Sequence, residues 1–198
     1  MKLNLGCGFL KLDGYINVDN QELCKPDLCF DLEKEWPLDD DSVEEIILHH
    51  TLEHLGADFS TFLLVMKELY RVSSDKCIWK ITVPHYNSDI FHIDPTHVRK
   101  IHPMTITMFN QHHNVIDLMD KGHYTKLGLI YNIDVELIDV KYSFHNPWKE
   151  RRNLGNISDE ELNFVSTFYN NVYDEIYLEC ITHKPQRYCY DTIKHLYN

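Results

Sequence analysis

Apolar and polar positions follow two periods along this chain, and their order predicts a sheet with helical crossovers. Lys2–Leu5 is a short apolar run that stops at Gly6-Cys7-Gly8, a strand entering a tight loop. Tyr15–Asp19 reads as a second strand and Asp27–Asp31 as a third, each ending on an acid. Pro37–Ser42 is a turn with helix-start character, and Glu45–His50 is a fourth strand with a buried centre. Phe59–Val72 repeats Phe62, Leu63, Val65, Met66, Leu69, Tyr70 and Val72 near helical spacing, with Asp58 or Ser60 as its cap. Cys77–Val83 is a fifth strand, closed by Pro84. The region 85–124 is less regular and holds seven of the thirteen histidines, with a helix expected at Pro103–Gln111. Val135–Phe144 alternates as a long strand. Ser158–Tyr173 reads as a helix opened by a Ser158/Glu161 capping box, and Glu175–His183 as the last strand. Strands alternating with helices predict a mostly parallel α/β sheet with helices on both faces, and the two late strands predict an antiparallel edge. No internal repeat is visible.

Composition narrows the function classes. The 198 residues carry a net charge of −12 with 43% hydrophobic positions, an ordinary globular balance for one domain, 1–198. Within it, 85–125 is expected to cover the substrate and 145–173 to form a helical insertion before the last strand. The first 60 residues hold 14 acids against 4 bases. Such an excess disfavours nucleic acid and anionic membranes as partners, since both are bound mainly through cations. The six cysteines contain no C-x2-C pair and match no common zinc spacing. With no apolar run of membrane length and no leader pattern before the glycine loop, a reduced, cytoplasmic protein is expected.

The chemistry lies in the strand–Gly6-Cys7-Gly8–strand–Asp19 arrangement. Glycines allow backbone N–H groups to approach a ligand closely, and an acid ending the next strand takes ribose hydroxyls. The spacing discriminates between cofactors. A dinucleotide fingerprint needs a third glycine, a helix, and an acid about 20 residues on. Here Lys11 stands at the third-glycine position, and Asp19 follows Gly8 by only 11 residues. A helix and a strand do not both fit, which weakens a pyrophosphate site and NAD with it.

Leu3–Gly8 followed by Gly14–Asp19 resembles the small class I S-adenosylmethionine-dependent methyltransferases with a shortened first loop. Trp36–Ile47 is similar to that family's Pro-rich turn into strand four, and His49–Leu55 to its LEH segment. Lys67–Val72, Pro84-His85 and His92–Arg99 continue the likeness in order, over roughly 1–110. The resemblance implies a Rossmann-like sheet and S-adenosylmethionine as cofactor. By the same resemblance, Leu5, Gly6, Cys7 and Gly8 form the cofactor loop, and Asp19 with Asn20 holds the ribose. Asp31 then accepts from the adenine amino group, Leu32 packs on the ring, and His49 lies beside the methionine end. Asn4 stands where many family members have an acid, and the helices that often precede strand one are lacking. The latter leaves a sheet flank open or covered by a second subunit, as in a homodimer.

Methyl transfer needs a positioned nucleophile and a proton acceptor near neutrality, a task suited to histidine. His85, His92, His97 and Asp94 are therefore the candidate catalytic residues. His54, Tyr86 and Arg99 are the candidate substrate contacts, Arg99 as a partner for a carboxylate or phosphate. H-x-D-x2-H across His92, Asp94 and His97 matches no defensible ligand spacing, so no metal is expected. The D/N-P-P-Y tetrapeptide of amino-methylating nucleic-acid enzymes is absent after strand four, where His49-His50-Thr51 stands. The expected substrate is a small molecule, with a sugar, cell-surface or secondary-metabolite precursor as the working class. The alternatives are a catalytically silent binding or regulatory subunit on the same fold and, more distantly, a metal-dependent hydrolase.

Overall fold

A computed structural model describes residues 1–189 and residue 193. Seven strands form one sheet: β1 (Lys2–Leu5), β2 (Ile16–Asp19), β3 (Leu28–Cys29), β4 (Val43–His49), β5 (Ser73–Pro84), β6 (Val135–Phe144) and β7 (Tyr173–Thr182). Their order is β3-β2-β1-β4-β5-β7-β6. The first five neighbours pair in parallel, and β7 runs antiparallel to both β5 and β6. This is the expected mostly parallel α/β sheet. The antiparallel strand is last in sequence but sits inside the sheet, with β6 at the edge.

Strand parity sorts the two faces. Leu3, Leu5, Ile46, Leu48, Trp79, Ile81, Leu178 and Cys180 point to one side and are wholly buried. They share a core with Phe62, Val65, Met66, Leu69 and Val72 of α1 (Phe59–Val72). Ile106 of α3 (Pro103–Thr107), together with Phe109, closes the same core. Asp58 caps α1 by accepting from Thr61 N at 3.0 Å, as its sequence implies. Two further helices, α6 (Trp148–Asn153) and α7 (Asp159–Ser166), make a small separate cluster with Tyr142, Phe144 and Tyr173. That cluster lies at the carboxyl end of β6, the same end as the carboxyl ends of the parallel strands. The other face of the sheet carries charge. Glu45 of β4 bonds Lys2 at 2.9 Å, Lys80 at 2.6 Å and the Tyr15 hydroxyl at 2.6 Å. Burial works to raise its carboxyl pKa, but these three donors outweigh it and pull it down to about 2.

Two expected helices are shorter than their sequence pattern. Pro103–Gln111 divides because Asn110 accepts from His113 N and starts a new helix, α4 (Gln111–Met119). α7 stops at Ser166, and Tyr173 instead joins β7 opposite Phe144. The Ser158/Glu161 capping box is present. Two further short helices are α2 (Asp89–Ile93) and α5 (Leu127–Tyr131). No helix among the described residues is long and apolar enough to cross a membrane.

The β1–β2 crossover has ten residues, 6–15, and no helix. Side-chain amides hold it. Buried Asn4 donates to Asn17 Oδ1 and to Leu10 O, both at 2.9 Å. Asn17 Oδ1 also accepts from Leu12 N at 2.8 Å. Asn17 gives its backbone N–H and its side-chain amide to Asp27 Oδ2, each at 2.8 Å. The backbone donor, then the amide, hold the Asp27 carboxyl below the ordinary range. Asn17→Ala keeps its own backbone bond to Asp27 but should leave Leu12 N and one buried Asn4 amide hydrogen unpaired, costing about 1–3 kcal/mol. Urea unfolding of the variant beside the parent measures this, and an unchanged midpoint would show that the crossover is held by something else.

Candidate active site

A cavity of about 500 Å³ opens at the carboxyl ends of β1, β2 and β4. Crevices outside the carboxyl ends of parallel strands are where α/β sheets bind ligands. Gly6, Gly8, Asp19, Asn20, Asp31, Leu32, His50, Thr51 and His54 line it. Gly6 has a φ of +65, and an added Cβ would fall 2.4 Å from Thr51 Cγ2. Only glycine fits there, because Thr51 Oγ1 is pinned to Leu5 O at 3.0 Å. Asp19 supports the loop from the next strand: its carboxylate accepts from Gly8 N at 2.8 Å and Gln21 N at 2.9 Å.

The opposite wall is tied down as firmly. Asp31 accepts from Glu33 N at 2.9 Å, and Glu33 Oε1 accepts from Gly56 N at 2.7 Å. Gly56 has a φ of +70, and a Cβ there would sit 2.5 Å from Phe62 Cα. The Arg99 guanidinium donates to Gly56 O and Asp58 O and lies 4.3 Å from the Phe62 ring centre. Val98 N and Arg99 N both donate to the Glu53 carbonyl, at 2.9 and 3.0 Å. The 92–99 segment is thereby fastened to the one-turn helix Leu52–His54 after β4.

A second hollow, about 660 Å³, meets the first at His50 and His54 and is lined further by Asp94, His97 and Glu175. His50 bridges two carboxylates, with Nδ1 3.2 Å from Glu53 Oε1 and Nε2 2.9 Å from Glu175 Oε1. Its hydrogen bond to Glu53 raises its pKa against the opposing effect of burial, and Glu175 adds to the rise.

No protein-family model and no curated protein matches this sequence. Solved structures do match. A SAM-dependent methyltransferase from Archaeoglobus fulgidus aligns with a TM-score of 0.58 at 20% identity, over 91% of this chain and 85% of that one. A methyltransferase from Thermotoga maritima, described as a possible histamine N-methyltransferase, aligns with a TM-score of 0.51 at 14% identity, over 92% and 81%. The [4+2]-cyclase SpnF aligns with a TM-score of 0.52 at 13% identity, over 92% and 75%. The chain has the class I methyltransferase fold.

On this methyltransferase fold, the candidate cofactor residues divide. Gly6, Gly8, Asp19, Asn20, Asp31 and Leu32 all face the cavity. Leu5 and Cys7 are buried beneath the loop and do not line it. His49, expected beside the methionine end, does not line this cavity. It ends β4 on the charged face and lines a different hollow with Tyr177 and Lys141. A φ of +50 at His50 then turns the chain, so that His50 and Thr51 face the cavity instead. Glu33, Leu55 and Thr96 line the cavity as well, although no sequence signal marked them.

The candidate catalytic and substrate residues scatter more widely. Asp94 and His97 line the second hollow and His54 lines both, whereas His92 is exposed and lines neither. Arg99 is turned inward and gives its Nε and Nη2 hydrogens to the Gly56 and Asp58 carbonyls, and it lines neither hollow. Tyr86 packs between His85 and His102, with ring centres at 4.1 and 4.9 Å. His85 is buried against Tyr142 and Tyr173 and accepts from Asn87 N at 3.2 Å. Burial, helped by nearby His102, pushes its pKa down to about 4. It is a neutral packing group at physiological pH and lines neither cavity.

The pH dependence follows from that shift. Between pH 6.5 and about 4 the unfolded chain protonates this imidazole and the folded chain does not. Stability from His85 is thus full above pH 6.5 and is lost as pH falls toward 4, by roughly 2–3 kcal/mol. His85→Phe should flatten the stability profile over that window, read from urea midpoints at successive pH values. An identical slope in the variant would remove His85 from the acid response.

Proposed function

We propose that this chain is an S-adenosylmethionine-dependent methyltransferase acting on a small molecule. The sign of the cavity's lining carries the reading. Asp19, Asp31 and Glu33 face a space whose described lining has no lysine or arginine, only the imidazoles His50 and His54; Lys34, outside the lining, pairs with Asp31 at 3.2 Å and offsets one of the three charges. Fixed carboxylates repel the pyrophosphate of a dinucleotide and attract a sulfonium and an ammonium. S-adenosylmethionine carries both cations against one carboxylate, and its ribose and adenine offer donors to acids placed as Asp19 and Asp31 are. The fold by itself is weaker support, since the cyclase neighbour shares it.

The acceptor belongs in the second hollow, which joins the first at His50 and His54. Bound S-adenosylmethionine would supply an electrophilic methyl for in-line transfer, its sulfur leaving with the electron pair, and the acceptor's oxygen or nitrogen would give up its proton to an imidazole or carboxylate of the hollow. Holding nucleophile and methyl in line supplies much of the acceleration. The hollow's imidazoles and carboxylates suit an acceptor bearing a hydroxyl or amine. The acidic chain, and the absence of D/N-P-P-Y after β4, disfavour nucleic acid.

Calorimetric titration with S-adenosylmethionine, S-adenosylhomocysteine and NAD tests the cofactor assignment. The first two should bind at one site and NAD should not. Asp19→Ala should weaken binding by about 1–3 kcal/mol, some 5- to 150-fold, through lost ribose hydrogen bonds. NAD binding, or no binding of either sulfur ligand at millimolar concentration, would refute the assignment.

A further inference from the structure

Where the two cavities meet, three metal-ligating side chains converge from segments more than forty residues apart. Glu53, His54 and His97 place one ligand atom each within 4.8 Å of one another. We propose that these residues form a binding site for a divalent first-row transition ion, with the Asp94 carboxylate next to His97 at its edge.

The hydrogen bonds fix which imidazole nitrogens are free. His97 Nδ1 lies 2.8 Å from the Phe91 carbonyl, which only accepts, so Nδ1 carries the proton and Nε2 a lone pair. Thr96 Oγ1 lies 2.6 Å from Asp94 Oδ1 and donates its single proton there. It therefore accepts from His54 Nδ1 at 2.9 Å, which leaves His54 Nε2 with a lone pair as well. An outer partner on Nδ1 that presents Nε2 as the ligand is the arrangement that orients metal-binding histidines.

The carboxylate points the same way. Glu53 is fully buried, and its Oε2 has no hydrogen-bond partner, a costly state for an ionised oxygen. His97 Nε2 stands 4.0 Å from Glu53 Oε1 and 3.9 Å from Asp94 Oδ2. Those separations are too long for hydrogen bonds and only slightly wider than the roughly 3.4 Å between tetrahedral ligands on bonds of about 2.0–2.2 Å. Two imidazoles with a carboxylate suit zinc, manganese or iron rather than calcium. His92, which the sequence spacing groups with Asp94 and His97, is exposed and outside this set. An ion held here lies at the rim of the second hollow, where it would polarise an oxygen ligand entering from solvent.

The site is tested without any assay of methyl transfer. Chelator-treated protein is titrated with zinc by calorimetry, and with cobalt(II) by visible absorption. One equivalent should bind, with the cobalt bands of a nitrogen- and oxygen-ligated centre. His97→Ala and His54→Ala should each weaken binding at least tenfold, whereas His92→Ala should not. Long-range proton–nitrogen spectra should show zinc shifting Nε2, not Nδ1, of both histidines. If His97→Ala does not fold, the partly exposed His54 carries the comparison. Absence of stoichiometric binding, sulfur-to-cobalt charge-transfer bands, or unchanged affinity in both variants would overturn the site. Because binding is read directly, failure here leaves the cofactor titration untouched, and failure there leaves this result standing.

Discussion

The ten-residue connection between β1 and β2 is the constraint on which the rest of this structure depends. Ten residues cannot supply a helix and return to a parallel neighbour. The crossover is therefore held by polar side chains, with Asn4, Asn17 and Asp27 handing hydrogen bonds from the loop through the sheet to the start of β3. Asn4, where the resembled family often has an acid for the cofactor, is used up in this support. The same shortening leaves Glu45 as the centre of a charged ladder with Lys2, Tyr15 and Lys80, on a face that a longer crossover would cover with apolar surface. Holding the loop so tightly also fixes the Gly8–Asp19 contact, and with it the floor of the cavity.

The far wall depends on a second knot. The Glu53 carbonyl takes two backbone N–H groups from the 98–99 stretch, Gly56 links Glu33 to Arg99, and Arg99 packs on Phe62 of α1. One cluster thus sets both the cavity wall and the position of His97. Arginine suits this role because its planar fork satisfies several carbonyls while its face lies on an aromatic ring. The consequence is chemical. Burying Glu53 beneath the 92–99 segment gives the site a carboxylate whose charge must be met by His50 or by an ion.

Sheet order alone places this chain among proteins of more than one chemistry, since structures named as methyltransferases and one named as a cyclase align with it. The choice between them rests on the sites: an acidic first cavity, a second hollow lined by imidazoles and carboxylates, and a shared edge at His50 and His54. Charge and hydrogen-bonding capacity at such positions discriminate between ligands in a way that backbone topology does not.

Much of this was legible in one dimension. The helix Phe59–Val72 and the strands Lys2–Leu5 and Val135–Phe144 have the bounds that their hydrophobic periods imply, because period and caps act over a few residues. Gly6, Gly8 and Asp19, singled out in the sequence as a glycine turn and an acid ending the next strand, do line one cavity, whereas Asp31 lies two residues beyond the end of β3 rather than on it. Histidine roles were not readable. His49 and His50 are adjacent, yet strand parity sends one to the charged face and a left-handed turn sends the other to the cavity. His85 and Arg99 lie away from both cavities' linings, His85 among Tyr86, Tyr142 and Tyr173 and Arg99 on Gly56 and Asp58, a placement that no sequence pattern records. The meeting of Glu53 and His54 with His97 was equally hidden. The sequence by itself determined the elements, their order and the glycine–acid loop between β1 and β2, through interactions between near neighbours. Which side chains converge was decided by long-range packing, because no local pattern records what lies across a cavity.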